Sequence, residues 1–470
     1  MRGKWWIPGP LGNGEVPASR NAQVFIGDND EWELTANHSL LATSGPDLDY
    51  VSRVVEVPAL HGLEGSDRAV SLLNAHIRAY SLEPREEGGN TRRWETWQSE
   101  WYAAGDCHVE PDTVASLVEI KFNVLPVWAG AKHSESGRSG VPLGHFADKA
   151  ELPPNEAVTA VADGVRVSLV SRWNIINPGP PIIAEKDALF QLRGAVPLRD
   201  IRDKWLLPLQ RLCQFLALYE VSLTGLAAYV DESDEPFWSG VEISYADLPT
   251  STDRAWTASG ECMLATREAL NQAGLPTDIL IERWLRFDRQ YCSPISDFLT
   301  STGHRLEPDV RTYFAHRCAE SFHDLRINGT ARDPTEHELI VQRVDDALAD
   351  AQLTRDDKDW VSERLRAGNQ KSQGRKLSDL VELAGSTGRL VVDERPHFIR
   401  RAIKARNRSI HSDPAAARSR GGPLDVSLFA LWWMLRHVFL LELGIDEHRI
   451  GPLLRKSREF SVLELMLPQE

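Results

Sequence analysis

A basic segment near the carboxyl-terminal end of the chain contains the side chains best suited to chemistry. Between Arg395 and Arg420 there are eight Lys or Arg residues and one acidic residue, a net charge of +7. Within it, Arg406 stays cationic and can hold a phosphate through paired N–H groups. Five residues later stands His411, and histidine, with an unperturbed pKa of about 6.5, can give or take a proton near neutral pH. The segment predicts an anion site, with a solvated basic helix face as the alternative interpretation.

This segment stands out because the chain as a whole is acidic. The 470 residues carry 53 Lys and Arg against 68 Asp and Glu, a net charge of −15, so the average surface repels a phosphate backbone. Any nucleic-acid site must therefore be local. The five cysteines are scattered and never spaced as Cys-x-x-Cys, which argues against a disulfide framework or a structural zinc and fits a reducing cytoplasm.

Helical geometry limits how Arg406 and His411 can cooperate. On a straight α-helix, two positions five residues apart point about 140° away from each other. The Ser-Asp-Pro sequence after the histidine predicts that the helix ends there. The two side chains can share a site only if the helix ends or distorts between them, or if the Arg406 side chain reaches round the helix.

The carboxyl-terminal part of the chain, which must position this segment, has the periodicity of amphipathic helices. From about Pro276 onward, apolar residues recur at helical spacing. The polar and basic residues 368–376 predict a loop between two helices. This part predicts an all-α domain over residues 276–470, with helices near 279–300, 308–327, 336–352, 357–367, 377–383, 395–410 and 424–443.

The amino-terminal part predicts a β-rich mixed domain over residues 1–275. Seven tryptophans lie before residue 130, and rings of that size usually close the core of a sheet, although a stacking surface for bases is the alternative. Together the two parts predict an α+β protein. The amino-terminal elements are a helix near 198–219 and strands near 22–27, 31–36, 53–61, 69–80, 114–124, 164–173, 222–230 and 237–245.

Two other patterns have both a functional and a structural interpretation. The side chains of His316, Glu320 and His323 are spaced to share one helix face, so they could ligate a metal ion or simply form a solvated face. Residues 424–443 approach the length of a membrane span, but charged and polar residues interrupt them, which favours a buried helix or a subunit interface. The sequence contains no Gly-x-x-x-x-Gly-Lys-Ser/Thr loop and no Gly-x-Ser-x-Gly elbow.

Motifs at both ends of the chain resemble those of a known family. The hexapeptide 406–411 (RNRSIH) resembles the Arg-x4-6-His motif of HEPN-domain ribonucleases. Residues 3–9 (GKWWIPG), 57–62 (VPALHG) and 69–73 (AVSLL) are similar to the opening Trp-Trp-x-Pro, the His-Gly turn and the Ser-Leu-Leu strand of ApeA-like proteins. That family is a bacterial anti-phage, abortive-infection family in which an HEPN domain follows the amino-terminal domain. The resemblance extends over essentially the whole chain.

The resemblance implies a metal-independent endoribonuclease in which the 2′-OH of the RNA attacks the phosphate. Such a reaction needs a base, an acid and a cation for the developing charge, and HEPN ribonucleases build this set from two copies at a dimer interface. We expect Arg406 and His411 to be catalytic and Asn407 to orient the phosphate or the histidine, or to cap the helix. Glu320 is expected to brace the motif arginine.

The resemblance also implies the partners. We expect RNA, with tRNA among the candidates, contacted by Arg401, Lys404 and Arg408, and a phage-derived trigger of unknown identity. We also expect a homodimer or higher even-numbered homo-oligomer, with an interface that residues 424–443 or their neighbours help to bury. No metal ion or other cofactor, no membrane and a cytoplasmic location are expected. The alternative functions are a catalytically silent HEPN module, which dimerises or binds nucleotides while the amino-terminal domain recognises a partner, and an unrelated helical interaction protein.

Overall fold

The computed structural model divides the chain into a β-rich unit and a helical unit, which confirms the predicted α+β class. The first unit comprises Met1–Cys213 with Val221–Ser259, and the second comprises Gln214–Glu220 with Gly260–Glu470. The functional division after residue 275 stays a prediction. The structure describes residues 2–7, 20–26, 32–36, 40, 56–64, 68–83, 92–129, 143–146, 155–177, 182–217, 221–231, 238–245, 248, 264, 266–303, 306–385, 395–410, 426–455, 457 and 460.

The β-rich unit is one antiparallel sheet of 14 strands with a few short helices. The helices are α1 (Leu125–Trp128) and α2 (Leu198–Asp200), and a π-helical segment (Ile201–Leu206) joins α2 to α3 (Leu207–Ala217), whose last four residues belong to the second unit. The strands are β1 (Arg2–Trp6), β2 (Arg20–Ile26), β3 (Trp32–Ala36), β4 (Glu56–Glu64), β5 (Arg68–Glu83), β6 (Arg92–Ser99), β7 (Trp101–Gly105), β8 (Val114–Phe122), β9 (Leu143–Phe146), β10 (Glu156–Ala162), β11 (Val165–Asn177), β12 (Ile182–Pro197), β13 (Leu223–Asp231) and β14 (Trp238–Tyr245).

Six of these strands form a closed ring. The long strand β5 pairs with both β4 and β6, and the remaining pairings run β4–β1–β2–β3–β6. Alternate side chains of β3 are buried, as the period of a strand requires. The core includes Trp5, Trp32 and Trp97. The prediction that the early tryptophans build a sheet core is therefore confirmed for these three.

One contact explains a motif residue of the amino-terminal part. Strands β1 and β4 place Trp5 opposite Gly62. A β-carbon on Gly62 would lie 2.6 Å from Cδ2 of Trp5, so the indole ring occupies the space that any other side chain would need. The resemblance implies a turn at His61-Gly62, but both residues lie inside β4, as the strand predicted over residues 53–61 indicates for His61. The glycine is explained by close packing on the indole, not by a turn.

The remaining strands continue the sheet from β5 in the order β7–β14–β13–β8–β12–β11–β10, with β9 also on β12. The sequence patterns placed strands near β8, β11, β13 and β14 but missed β7, β9, β10 and β12. Strand β12 is 16 residues long and lies between β8 and β11, so it is central in this part of the sheet.

The described regular structure of the second unit is helical apart from one isolated bridge between Thr330 and Gln370. The helix predicted from periodicity near residues 377–383 begins earlier, because Ser372 accepts a hydrogen bond from the backbone N–H of Arg375 and caps it. The predicted loop 368–376 is therefore wrong in its second half. The helices are α4 (Arg267–Gln272), α5 (Thr277–Thr302), α6 (Pro308–Arg326), α7 (Pro334–Asp350), α8 (Arg355–Ala367), α9 (Gln373–Leu383), α10 (Arg395–Ile410), α11 (Val426–Glu442) and α12 (Glu447–Leu454).

Helix α11 is the core of this unit. Its residues from 428 to 440 are buried except Phe429, which is half-buried, and even Arg436 and His437 are enclosed. The guanidinium of Arg436 lies 4.9 Å from the ring centre of Trp433, a cation–π contact that offsets part of the cost of burying the charge. The interpretation of this segment as a core helix is confirmed. Because the helix is buried within its own unit, it leaves little surface for the predicted contact with a second copy.

Among the described residues, no helix is both long enough and apolar enough to cross a membrane.

Candidate active site

The candidate site is built on α10, whose two faces differ. The inner face packs against α6, α9 and α11 through the buried residues Phe398, Ala402 and Ala405. The outer face exposes five polar or charged side chains, which recur at the helical period. These residues, which we call the outer stripe, are His397, Arg400, Arg401, Lys404 and Asn407.

Arg406 does not belong to the outer stripe. At 100° per residue it lies about 140° from Arg401 and about 200° from Lys404, on the inner side of α10. Its Nη2 atom is 3.0 Å from Oε1 of Glu320 on α6, and 31% of its side chain is exposed. The guanidinium is therefore held at the edge of the contact between α10 and α6.

Glu320 is the acidic partner at this position. It lies in the fourth turn of α6, and its side chain is 29% exposed, similar to that of Arg406. A half-exposed ion pair of this kind adds little to stability, because solvent screens the attraction. Its effect is on orientation, since the carboxylate fixes one side of the guanidinium.

The other predicted site residues are placed as follows. Asn407 is exposed beside Arg406, and Arg401 and Lys404 are exposed on the outer stripe. The backbone of Arg408 continues α10, but its side chain and all of His411 lie outside the described residues. Helix α10 runs without interruption through Ile410, so the suggested distortion immediately after Arg406 is not present in the described part.

The two histidines of the proposed metal face are buried, which makes their interpretation as a solvated face wrong. His316 is 3% exposed and its Nδ1 atom is 3.0 Å from Nε2 of Gln373. His323 is fully buried, with Nε2 3.1 Å from Asp379 and Nδ1 3.3 Å from Asp324. The three proposed ligands thus have separate partners. Among the described residues, no three His, Cys, Asp or Glu side chains are grouped so that they could hold a metal ion.

Asp379 organises the polar contact between α6 and α9. Its carboxylate lies within hydrogen-bonding distance of His323, Lys371 at 2.9 Å and Arg375 at 3.1 Å. Burial alone would raise the pKa of Asp379, but the hydrogen bonds from Lys371 and His323, with the nearby Arg375 charge, lower it below its usual value. The carboxylate therefore stays ionised and holds α9 against the helix that carries Glu320.

Sequence reasoning missed this network, although a signal was present. Lys371, Arg375 and Asp379 are spaced four residues apart, the spacing of side chains that meet on one face of a helix turn. What the sequence could not provide is the buried partner on α6. A histidine that hydrogen-bonds a carboxylate through one nitrogen looks the same in sequence as a solvated one.

The comparisons with known proteins bear on this helical unit. Residues 315–449 match the family model described as Apea-like HEPN, and this range begins inside α6 and ends inside α12. It therefore includes Glu320, Arg406 and the helices that bring them together. Neither the search of curated proteins nor the search of solved structures found a match.

The family match has a functional meaning at a coarse level. HEPN domains are associated with ribonucleases, so the match implies a nuclease or RNA-related role in defence. The β-rich unit precedes this domain along the chain, which is the order of parts in ApeA-like proteins. The chain therefore carries an Apea-like HEPN domain at residues 315–449, behind a β-rich amino-terminal region.

Proposed function

We propose that the protein is a metal-independent endoribonuclease of phage defence, with Arg406 and His411 as its catalytic residues. The observation that supports this most directly is the position of Arg406. Within the HEPN match, its guanidinium lies on the inner side of α10, oriented by Glu320 and part-exposed. An arginine that is held by a carboxylate and still part-exposed is positioned to meet a phosphate.

The proposed reaction uses the substrate's own nucleophile. One histidine takes the proton of the 2′-OH, the oxygen attacks the adjacent phosphorus, and a second histidine protonates the leaving 5′-oxygen. Arginine stabilises the charge on the pentavalent phosphorane. A single chain has one motif histidine for two proton transfers, so the active form combines His411 and Arg406 from two copies. Asn407, exposed beside the arginine, orients the phosphate or the histidine.

The outer stripe has a different role in this proposal. Arg401 and Lys404 point away from Arg406, so they bind phosphates of the RNA outside the cleaved position, together with Arg408. They supply affinity, whereas Arg406 supplies catalysis. The substrate is RNA, with tRNA among the candidates, the reaction takes place in the cytoplasm, and the β-rich unit receives the phage-derived trigger.

The test is cleavage of total cellular RNA by the purified protein in EDTA. We expect cleavage to persist and to leave a 2′,3′-cyclic phosphate and a 5′-hydroxyl, because the nucleophile is the 2′-OH and no ion is needed to activate water. DNA of the same sequence should stay intact, since it lacks that hydroxyl. His411→Ala should lower the rate by about 10²–10⁴-fold, the usual contribution of a general acid or base.

Two results would contradict the proposal. Cleavage that is lost in EDTA, restored by added zinc or manganese and ends in 5′-phosphates would place the chemistry on other residues. RNA binding without cleavage, in a protein that forms stable dimers, would favour the silent HEPN module.

A further inference from the structure

An exposed aromatic side chain lies on α6, on the face that carries Glu320. Tyr313 is 42% exposed and stands seven residues before Glu320, which is two helical turns or about 10 Å along the same face. Its ring meets that of Phe314 edge to face at a centroid distance of 5.4 Å. The ring is therefore supported on one side and open to solvent on another.

A fixed cation lies between Tyr313 and Glu320. The Nε atom of Arg317 donates a hydrogen bond of 2.7 Å to the buried carboxylate of Asp297 on α5, and its guanidinium lies 5.3 Å from the ring centre of Phe314. Hydrogen bonds to Asp297 and Tyr313 raise the pKa of Arg317 above its ordinary value. Half of the Arg317 side chain is exposed, so part of the guanidinium is accessible from solvent although the group is held in place.

Two acidic groups of this area are engaged by cations. Asp297 is buried and paired with Arg317, and Glu320 is paired with Arg406, whereas Asp309 is exposed one helical turn before Tyr313. Along α6, the open ring of Tyr313 is thus followed by the guanidinium of Arg317. The guanidinium of Arg406, on α10, lies beside Glu320 further along the same face. Alternating ring and cation is the arrangement that binds a single strand of nucleic acid, because a base stacks on the ring while the phosphate beside it meets the cation.

We propose that Tyr313 and Arg317 form a binding site for single-stranded RNA next to the cleavage site, with an unpaired base stacked on Tyr313 and a neighbouring phosphate on Arg317. This inference rests on the proposed function and deepens it, since it assigns to Tyr313 and Arg317 the binding of an unpaired stretch of the RNA beside the cleaved position. A duplex does not fit the site, because its bases are stacked on each other and cannot reach the ring.

The experiment measures binding without cleavage. The probe is a fluorescein-labelled 12-nucleotide RNA with 2′-O-methyl groups, which block the attacking oxygen, and the dissociation constant of the full chain is read from fluorescence anisotropy. We expect Tyr313→Ala to weaken binding by about 5-fold to 150-fold, the usual loss for one stacked base. Tyr313→Phe, which keeps the ring, should bind nearly as well as the wild type, and the unlabelled duplex should compete poorly.

Leu325→Ala is the matched control. Leu325 is also on α6 and 58% exposed, but it lies about 140° from Glu320 around the helix, so its loss should leave the dissociation constant unchanged. Wild-type affinity in Tyr313→Ala, or equal competition by the duplex, would overturn the proposal. So would a change in oligomeric state by light scattering in Tyr313→Ala, because Tyr313 would then belong to a contact between copies.

The two proposals fail in different ways. If the wild-type chain binds the modified strand through Tyr313 but does not cleave the unmodified RNA, the proposed catalytic function is wrong and the binding site stands. If the unmodified RNA is cleaved while Tyr313→Ala binds and cleaves as the wild type does, only the binding site is wrong.

Discussion

Arg406 on α10 and Glu320 on α6 lie 3.0 Å apart, on the side of α10 opposite to its most exposed basic residues. The basic segment that dominates the sequence is thus divided by the helix into two surfaces. The total charge of the segment alone would predict that all of its arginines form one anion site. Under the proposed function the two surfaces have separate roles, which mutations can distinguish.

The first prediction compares the two sides of α10. Arg406→Ala should lower the rate of RNA cleavage by at least about 100-fold, because it removes a cation from the transition state. Arg401→Ala should leave turnover close to the wild-type value, weaken binding, and reduce the slope of log affinity against log salt by about 1, as the loss of one phosphate contact does. Single-turnover kinetics and binding at several salt concentrations provide both values. Equal loss of turnover in the two variants would contradict the division.

The second prediction concerns the orientation of Arg406. Glu320→Ala should lower the cleavage rate, but it should change the free energy of unfolding by less than about 1 kcal/mol, since the pair is part-exposed. In an Arg406→Ala background the same substitution should have no further effect on cleavage, because its effect is exerted through the arginine. Additive losses in the double variant would mean that Glu320 acts independently of Arg406.

The sequence predicted most of the helical unit because its signals were local. Periodicity located α5, α6, α8, α10 and α11 to within a few residues, since each helix has an apolar face of ordinary length. The helix caps were harder to predict from the sequence. The predicted start of α9 is four residues too late, because Ser372 resembles a loop residue. The short helix α12 contains Pro452 and was missed.

The strand pairings of the β-rich unit could not be predicted from local sequence patterns. Strand β12 has both apolar and charged positions, and it is central in the sheet because of pairings with β8 and β11 that are distant in sequence. The closure of the ring through β5 and β6 is likewise a long-range property. For the site, Arg406 and Glu320 could be named from the sequence. The burial of His316 and His323 could not, because it depends on how α9 packs against α6.

The third prediction concerns the packing of Trp5 on Gly62. Gly62→Ala should reduce the free energy of unfolding by about 1–3 kcal/mol, the usual cost of overpacking, because the rigid indole lies where the new methyl group must go. Gly225→Ala is the control, since its methyl group would meet only the Lys121 side chain at an ordinary 3.6 Å. Thermal unfolding of the full chain measures both variants. Equal stability of the two would show that β1 and β4 can separate to accept the methyl group.

The last prediction is a pH dependence that originates in α11. Burial lowers the pKa of His437 to about 4, against the opposing effects of Glu447 and the Ala384 carbonyl. The unfolded chain binds a proton at His437 below about pH 6.5 and the folded chain does not, so acidification from there towards pH 4 favours unfolding, by up to about 1.4 kcal/mol per pH unit. In urea titrations followed by the helical circular dichroism signal, the loss of stability between about pH 7 and pH 5 should be about 2 kcal/mol smaller in His437→Gln than in the wild type.

His448→Gln, at an exposed position of α12, should keep the wild-type pH dependence. If His437→Gln also keeps the full pH dependence of the wild type, the His437 imidazole must take up its proton without leaving the core. Helix α11 is then less tightly closed than the burial of His437 indicates.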